Sequence, residues 1–264
     1  MDYADRVAGL FGPRQRQLSL SKLLDFTPLS PAVQAHLAQV YVTLAVALCL
    51  SAAGVYASAL TGFGQGLGML GFLVSVPWML ATPPRPDTLG KRRALFGAAA
   101  LSQGLLLAPI VRAALALHPG VLFTAFAGTA GVFACFSAAA LLSPRRQYLF
   151  LGGLLSSVLS TFFLLRFATW AFGGRALLFE AELYLGLAVF AGYVVYDTQM
   201  IVERCEAGIP DVLRDALDLF VDFAAIFVRL LAILLRNAEE KKRRERESES
   251  RSRRRGAGTS RLGH

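Results

Sequence analysis

The chain has 264 residues, 55% of them apolar and 17% charged, with a formal net charge of +9 and a mean hydropathy of +0.51. Soluble domains usually carry about a quarter charged residues. Between Val40 and Val202 apolar runs of about 20 residues recur, the length that crosses a bilayer core of about 30 Å. This excludes a water-soluble domain. Lipid forces a chain to satisfy its backbone hydrogen bonds internally, and the short alternating strands of a barrel are absent, so the expected fold is an all-α integral membrane protein.

In chain order, residues 1–37 are polar, with prolines at Pro13, Pro28 and Pro31. They lack the basic, apolar and small-residue succession of a cleaved signal, and read as a cytosolic N-terminal region. Residues 38–235 form the membrane domain, with spans expected at 38–60, 63–81, 94–117, 121–142, 148–165 and 180–202 and a seventh segment at 216–235. The linkers at 118–120 and 143–147 are short, which predicts antiparallel neighbours. In the first span Ala45, Cys49, Ala53 and Ala57 recur every four residues and predict a small-residue seam for helix contact. Gly66, Gly68 and Gly71 spell a dinucleotide-type GxGxxG. That motif has meaning only between a strand and a helix, so here it predicts close helix packing. Arg112 lies near the end of its span, where a long basic side chain reaches the interface.

Cys49, Cys135 and Cys205 are an odd number, and they read as packing residues rather than disulfide partners. His36, His118 and His264 show no metal-ligand spacing, which argues against a metal enzyme. From Glu239 the sequence EEKKRRERESESRSRRRGAGTSRLGH is basic and of low complexity. Residues 236–264 are expected to be a disordered cytosolic tail that can also meet anionic head groups. Spans before it make a nucleic-acid partner unreasonable.

Lys and Arg number four before the first span (Arg6, Arg14, Arg16, Lys22), none in the first loop and four in the second (Arg85, Lys91, Arg92, Arg93). The third loop has none and the fourth two (Arg145, Arg146). The positive-inside rule therefore puts the N-terminus in the cytosol. Arg166 and Arg175 in the fifth loop, and Arg204 and Arg214 in the sixth, do not discriminate. Seven full crossings would send the tail, with eleven basic residues from Arg236 onward, to the opposite side. A re-entrant seventh segment would keep it in the cytosol with the other basic segments, whereas an inverted seven-span topology would keep the tail in the cytosol and move the other basic segments across. Both stay open.

Asp197 follows fourteen uncharged residues that start at Leu183. A charge at mid-membrane costs at least about 2.5–3.5 kcal/mol on insertion scales and normally faces the bundle interior, marking a pathway or relay. The seventh segment, DALDLFVDFAAIFVRLLAILL, adds Asp218, Asp222 and Arg229. At about 100° per residue, Asp222 lies about 40° from Asp218, and Arg229 about 20° back from Asp222. The shared polar stripe predicts a central seventh helix that faces Asp197. Two carboxylates in close approach cannot both ionise cheaply, and a shared proton joins them. Removing that proton would drive the helices apart, and an acidic opening suits a hard cation such as calcium. The plainer expectation is an ion pair between these carboxylates and Arg229 that only fixes helix register. Asp218 is then a supporting or interfacial carboxylate.

The stretches FTPLSPAVQAHLAQVY, TAFAGTAGVFACFSAAAL, RRQYLFLGGLLSSVLS, LYLGLAVFAGYVVYDTQMIVERCEAG and DLFVDFAAIFVRLLAILL resemble the Bax inhibitor-1 family over residues 26 to about 238. The resemblance implies six helices around a central seventh and a calcium leak of the endoplasmic reticulum membrane. It also implies a pH-sensing aspartate pair, matched by Asp197 of YDTQ and Asp222 of DLFxDF. It implies suppression of Bax-induced death and a moderated unfolded-protein response, with cell-death and stress-response membrane proteins as partners, calcium as permeant ion and no cofactor. The arginine- and serine-rich tail departs from the family's shorter Lys- and Glu-rich tails. A non-conducting regulatory scaffold is the alternative. An intramembrane aspartyl protease fits less well, since such enzymes carry GxGD where residues 219–222 read LFVD.

Overall fold

A computed structural model describes residues 30–62, 64–142, 150–172 and 177–259. Residues 1–29, with Arg6, Arg14, Arg16 and Lys22, lie outside the described residues, as do Arg145, Arg146, Arg175 and the last five residues. Among the described residues the chain is helical: α1 Pro31–Thr61, α2 Gln65–Ala81, α3 Leu89–Leu117, α4 Pro119–Leu142, α5 Leu151–Phe172, α6 Leu177–Glu206 and α7 Val212–Thr259. Each expected span falls on one helix. α1 begins earlier than expected because Ser30 caps it by accepting from Val33 N (3.4 Å) and Pro31 occupies the first turn, where a missing N–H costs nothing.

α1, α3, α4 and α6 are long and apolar enough to cross a membrane, and α2 is a shorter apolar helix. The outer faces of these helices and of α5 carry exposed large side chains, among them Leu70, Leu73, Trp78, Phe123 and Phe163. Water would not tolerate so continuous an apolar surface; lipid does. The chain is an all-α multi-pass membrane protein.

α7 is central. It packs against α6, α4, α1 and α3, whereas α2 packs on α3 and α5 on α6 at the periphery. Leu219, Phe220, Ile226 and Leu231 of α7 are essentially inaccessible. Phe223 touches Phe126 (5.8 Å between centroids) and Phe133 (5.6 Å), and Phe133 meets Tyr41 edge-on at 6.5 Å. This aromatic chain joins α1, α4 and α7.

Small residues set the closest approaches, but not all of those expected. Ala45, Cys49 and Ala53 are exposed, and the buried stripe of α1 is Ala47, Ser51, Gly54 and Ser58. A Cβ on Gly54 would collide with Leu101 O, and one on Gly104 with Ser51 O, so α1 and α3 meet backbone to backbone. The predicted Ala45 seam is a lipid-facing row, because the glycines opposite lie on the other stripe. Of the GxGxxG glycines, Gly68 and Gly71 pack against Ser102 of α3, while Gly66 faces open space. Close packing was the expected role. Arg112 is exposed near the end of α3, and all three cysteines are free.

α7 runs unbroken from Val212 to Thr259. No reversal of the kind a re-entrant segment needs occurs in it. The stretch expected to be disordered from residue 236 continues the helix through Thr259. Its Glu, Lys and Arg residues are strong helix formers, and Arg236–Glu240 (3.2 Å) and Arg243–Glu247 (3.4 Å) pair at the i,i+4 spacing that supports a helix locally.

Candidate functional site

The α6–α7 turn positions the site. Gly208 adopts a left-handed φ of 76°, which costs glycine no steric strain. Gly208 N donates to Cys205 O and Ile209 N to Arg204 O, so the chain reverses within five residues. Asp211 then starts α7 by accepting from Arg214 N at 3.3 Å. It also receives Arg92 of α3 on both oxygens, at 3.0 and 2.6 Å. Burial by itself raises the Asp211 carboxyl, but the hydrogen bonds and charge of Arg92 together with the backbone N–H groups of Arg214 and Leu213 outweigh it and hold the group below its ordinary range.

The first turns of α7 carry a network of charges. Arg204 of α6 donates to Asp215 Oδ1 (2.5 Å) and to Asp218 Oδ2 (3.1 Å). His36 of α1 bonds Asp215 Oδ2 through Nε2 at 2.7 Å. Asp215 is fully buried and Asp218 is 30% exposed, so one guanidinium and one imidazole hold two carboxylates between three helices. Neither His36 nor Asp215 stood out in the sequence. Asp215 lies about 20° from Asp222 around a helix with 100° per residue, a signal that was available. His36 carried none, since its partner is 179 residues away.

One turn deeper are Asp197 and Asp222. Their carboxyl groups lie within hydrogen-bonding reach of each other, so the two aspartates selected from sequence do meet. Asp222 is 3% exposed, and its Oδ2 meets no donor among the described residues. Neither aspartate has a basic partner among the ion pairs of the described residues. The helical rise puts Asp222 about 15 Å from the start of α7, about half the thickness of a bilayer core.

Asp218 and Arg229 do not pair. Asp218 is held by Arg204. Arg229 donates to Ala225 O at 3.0 Å and lies over the Phe190 ring at 4.5 Å, in space left by Gly186, where a Cβ would strike its guanidinium. The expected carboxylate–Arg229 register pair is therefore replaced by the Arg204 network. Among the described residues no His, Cys, Asp or Glu cluster is arranged to hold a metal.

A polytopic helical protein whose central helix meets a neighbouring helix at a buried pair of carboxyls, with a cation-bound acid cluster between that pair and the start of the central helix, is the class this architecture defines. The sequence model of the family described as Inhibitor of apoptosis-promoting Bax1 matches residues 33–239, and the chain belongs to that family. It is similar to Bax inhibitor 1 of Arabidopsis thaliana, 46% identical over 87% of this chain and 92% of the relative. It is also similar to Bax inhibitor 1 of rice, 43% identical over 92% of this chain and 98% of the relative. Human Bax inhibitor 1 is 40% identical over 86% of this chain and 97% of the relative.

Proposed function

We propose that this protein suppresses Bax-type programmed cell death from the endoplasmic reticulum membrane, as a proton-sensitive calcium leak path. The names of its relatives support the cell-death role. The observation that carries the conducting role is the contact between Asp197 of α6 and Asp222 of the central helix, about 15 Å along α7 from its start. A buried carboxyl pair that touches no cation is stable with one proton between the two groups. Loss of that proton sets two negative charges against each other and favours separation of α6 from α7, an element with two arrangements that pH biases. Carboxylate oxygens then line the opening, and they suit calcium. Calcium is the permeant ion in this reading, with no cofactor and no catalysed reaction. Lowering the calcium content of the reticulum would connect the pore to cell death and to the unfolded-protein response, with membrane proteins of those pathways as partners.

Purified protein in liposomes loaded with a calcium indicator should pass calcium faster as pH rises from mildly acidic to mildly alkaline. Asp222→Asn should flatten that dependence, because an amide neither gains nor loses the shared proton. No flux above empty liposomes at any pH would leave a non-conducting scaffold that acts by binding partners.

A further inference from the structure

A groove of about 740 Å³ opens beside the start of α7, between α1 and the α2–α3 turn. Its head is basic: Arg85, Arg92 and Arg93 line it. Its wall is apolar, formed by Val42, Leu89 and Val212, and Val42 is 65% exposed on the face that meets lipid. The turn that presents Arg85 is braced, since Thr88 Oγ1 donates to Pro83 O at 2.6 Å and Arg85 N donates to Thr88 Oγ1 at 3.2 Å.

The charges at this end are unequally spent. Lys91 lies over the Trp78 ring at 4.8 Å, outside the groove lining. Arg92 neutralises Asp211, yet its buried Nε–H meets no acceptor among the described residues. Arg85 and Arg93 are exposed and form no ion pair among the described residues. The groove therefore keeps two uncompensated guanidiniums at a helix-end level, directly above an apolar slot. Guanidinium forks match phosphate oxygens, and basic pockets between membrane helices take anionic lipid head groups.

We infer that this groove is a binding site for an anionic glycerophospholipid of the adjoining leaflet, its phosphate held by Arg85 and Arg93 and an acyl chain lying along Val42 and Leu89. The site joins α1, the α2–α3 turn and α7, so an occupant would tie the peripheral pair α2–α3 to the central helix. It does not depend on ion conduction.

Native mass spectrometry of the full-length protein in detergent tests it, with short-chain phosphatidylserine, short-chain phosphatidylcholine and inorganic phosphate titrated separately. One phosphatidylserine should bind in preference to phosphatidylcholine. Arg85→Gln/Arg93→Gln should weaken it on the order of thirtyfold, since each basic residue near an anionic surface contributes comparably. Arg85→Lys/Arg93→Lys should keep most of the affinity, and the tail variant Arg243→Gln/Arg244→Gln should leave it unchanged. Thermal unfolding of each variant checks its fold, and the single Arg85→Gln, on an exposed turn, serves if the double variant is unstable. Equal binding of the two lipids, loss only in the tail variant, or full displacement of the lipid by inorganic phosphate would each overturn the assignment.

Discussion

Two groups of carboxylates share one stripe of α7, a turn apart, and they are built on opposite plans. Asp215 and Asp218 are held by Arg204 and, for Asp215, by His36. Asp222 has no cation partner among the described residues and lies against another carboxyl, Asp197. Burial alone does not separate them, because Asp215 is at least as buried as Asp222. The difference is the partner. A buried carboxylate clamped by a guanidinium fixes two helices together. A buried carboxyl pair without a cation is held by a proton, which the medium can remove. The first group ties three helices together by charge, and the second lies about 6 Å further along α7 with only a proton to join it.

This contrast predicts an ordered series of effects. Arg204→Met strands two carboxylates at once and should cost about 3–5 kcal/mol, the range for breaking a buried ion pair, read as thermal unfolding in detergent. Arg92→Met should cost less, about 1.5–3 kcal/mol for its charged hydrogen bonds, and its effect should depend on pH. The Asp211 carboxyl is held below its ordinary range. Its stabilising contribution is therefore complete above the usual carboxylate range and is lost as pH falls through the depressed folded-state value. The stability gap between wild type and Arg92→Met should accordingly narrow on acidification. His36→Phe removes one donor from a buried oxygen of Asp215, and about 1–3 kcal/mol is expected. Asp222→Asn should change stability least, by under about 1 kcal/mol, because the amide can still bond to Asp197 while one buried charge is gone. A large loss in Asp222→Asn with none in Arg204→Met would reverse the comparison.

Much of this was legible in the sequence, for reasons specific to each residue. Asp197 and Asp222 were conspicuous because a charge in an apolar run is a local anomaly, and the polar stripe of α7 gave its central place. The expected ion pair between the buried carboxylates and Arg229 did not form. Helical angle put Asp222 and Arg229 on one face, but seven residues of rise separate them by about 10 Å. Arg229 turns to Ala225 O and the Phe190 ring instead, while Asp218 is held by Arg204 of a neighbouring helix. His36 and Arg92 were illegible as site residues, since their partners lie 179 and 119 positions away. The Ala45 repeat misled in another way. A four-residue period identifies a row of small side chains, but only the glycine facing it, Gly104 opposite Gly54, decides which row packs.

Infrared difference spectroscopy of wild type and Asp222→Asn across neutral pH reads the shared proton most directly. Wild type should show a protonated carboxylic-acid carbonyl band near neutral pH. That band should disappear on alkalinisation over the same range in which calcium flux rises, and it should be absent from Asp222→Asn. A wild-type spectrum with only ionised carboxylates at neutral pH, or an unchanged acid band in the variant, would contradict a shared proton.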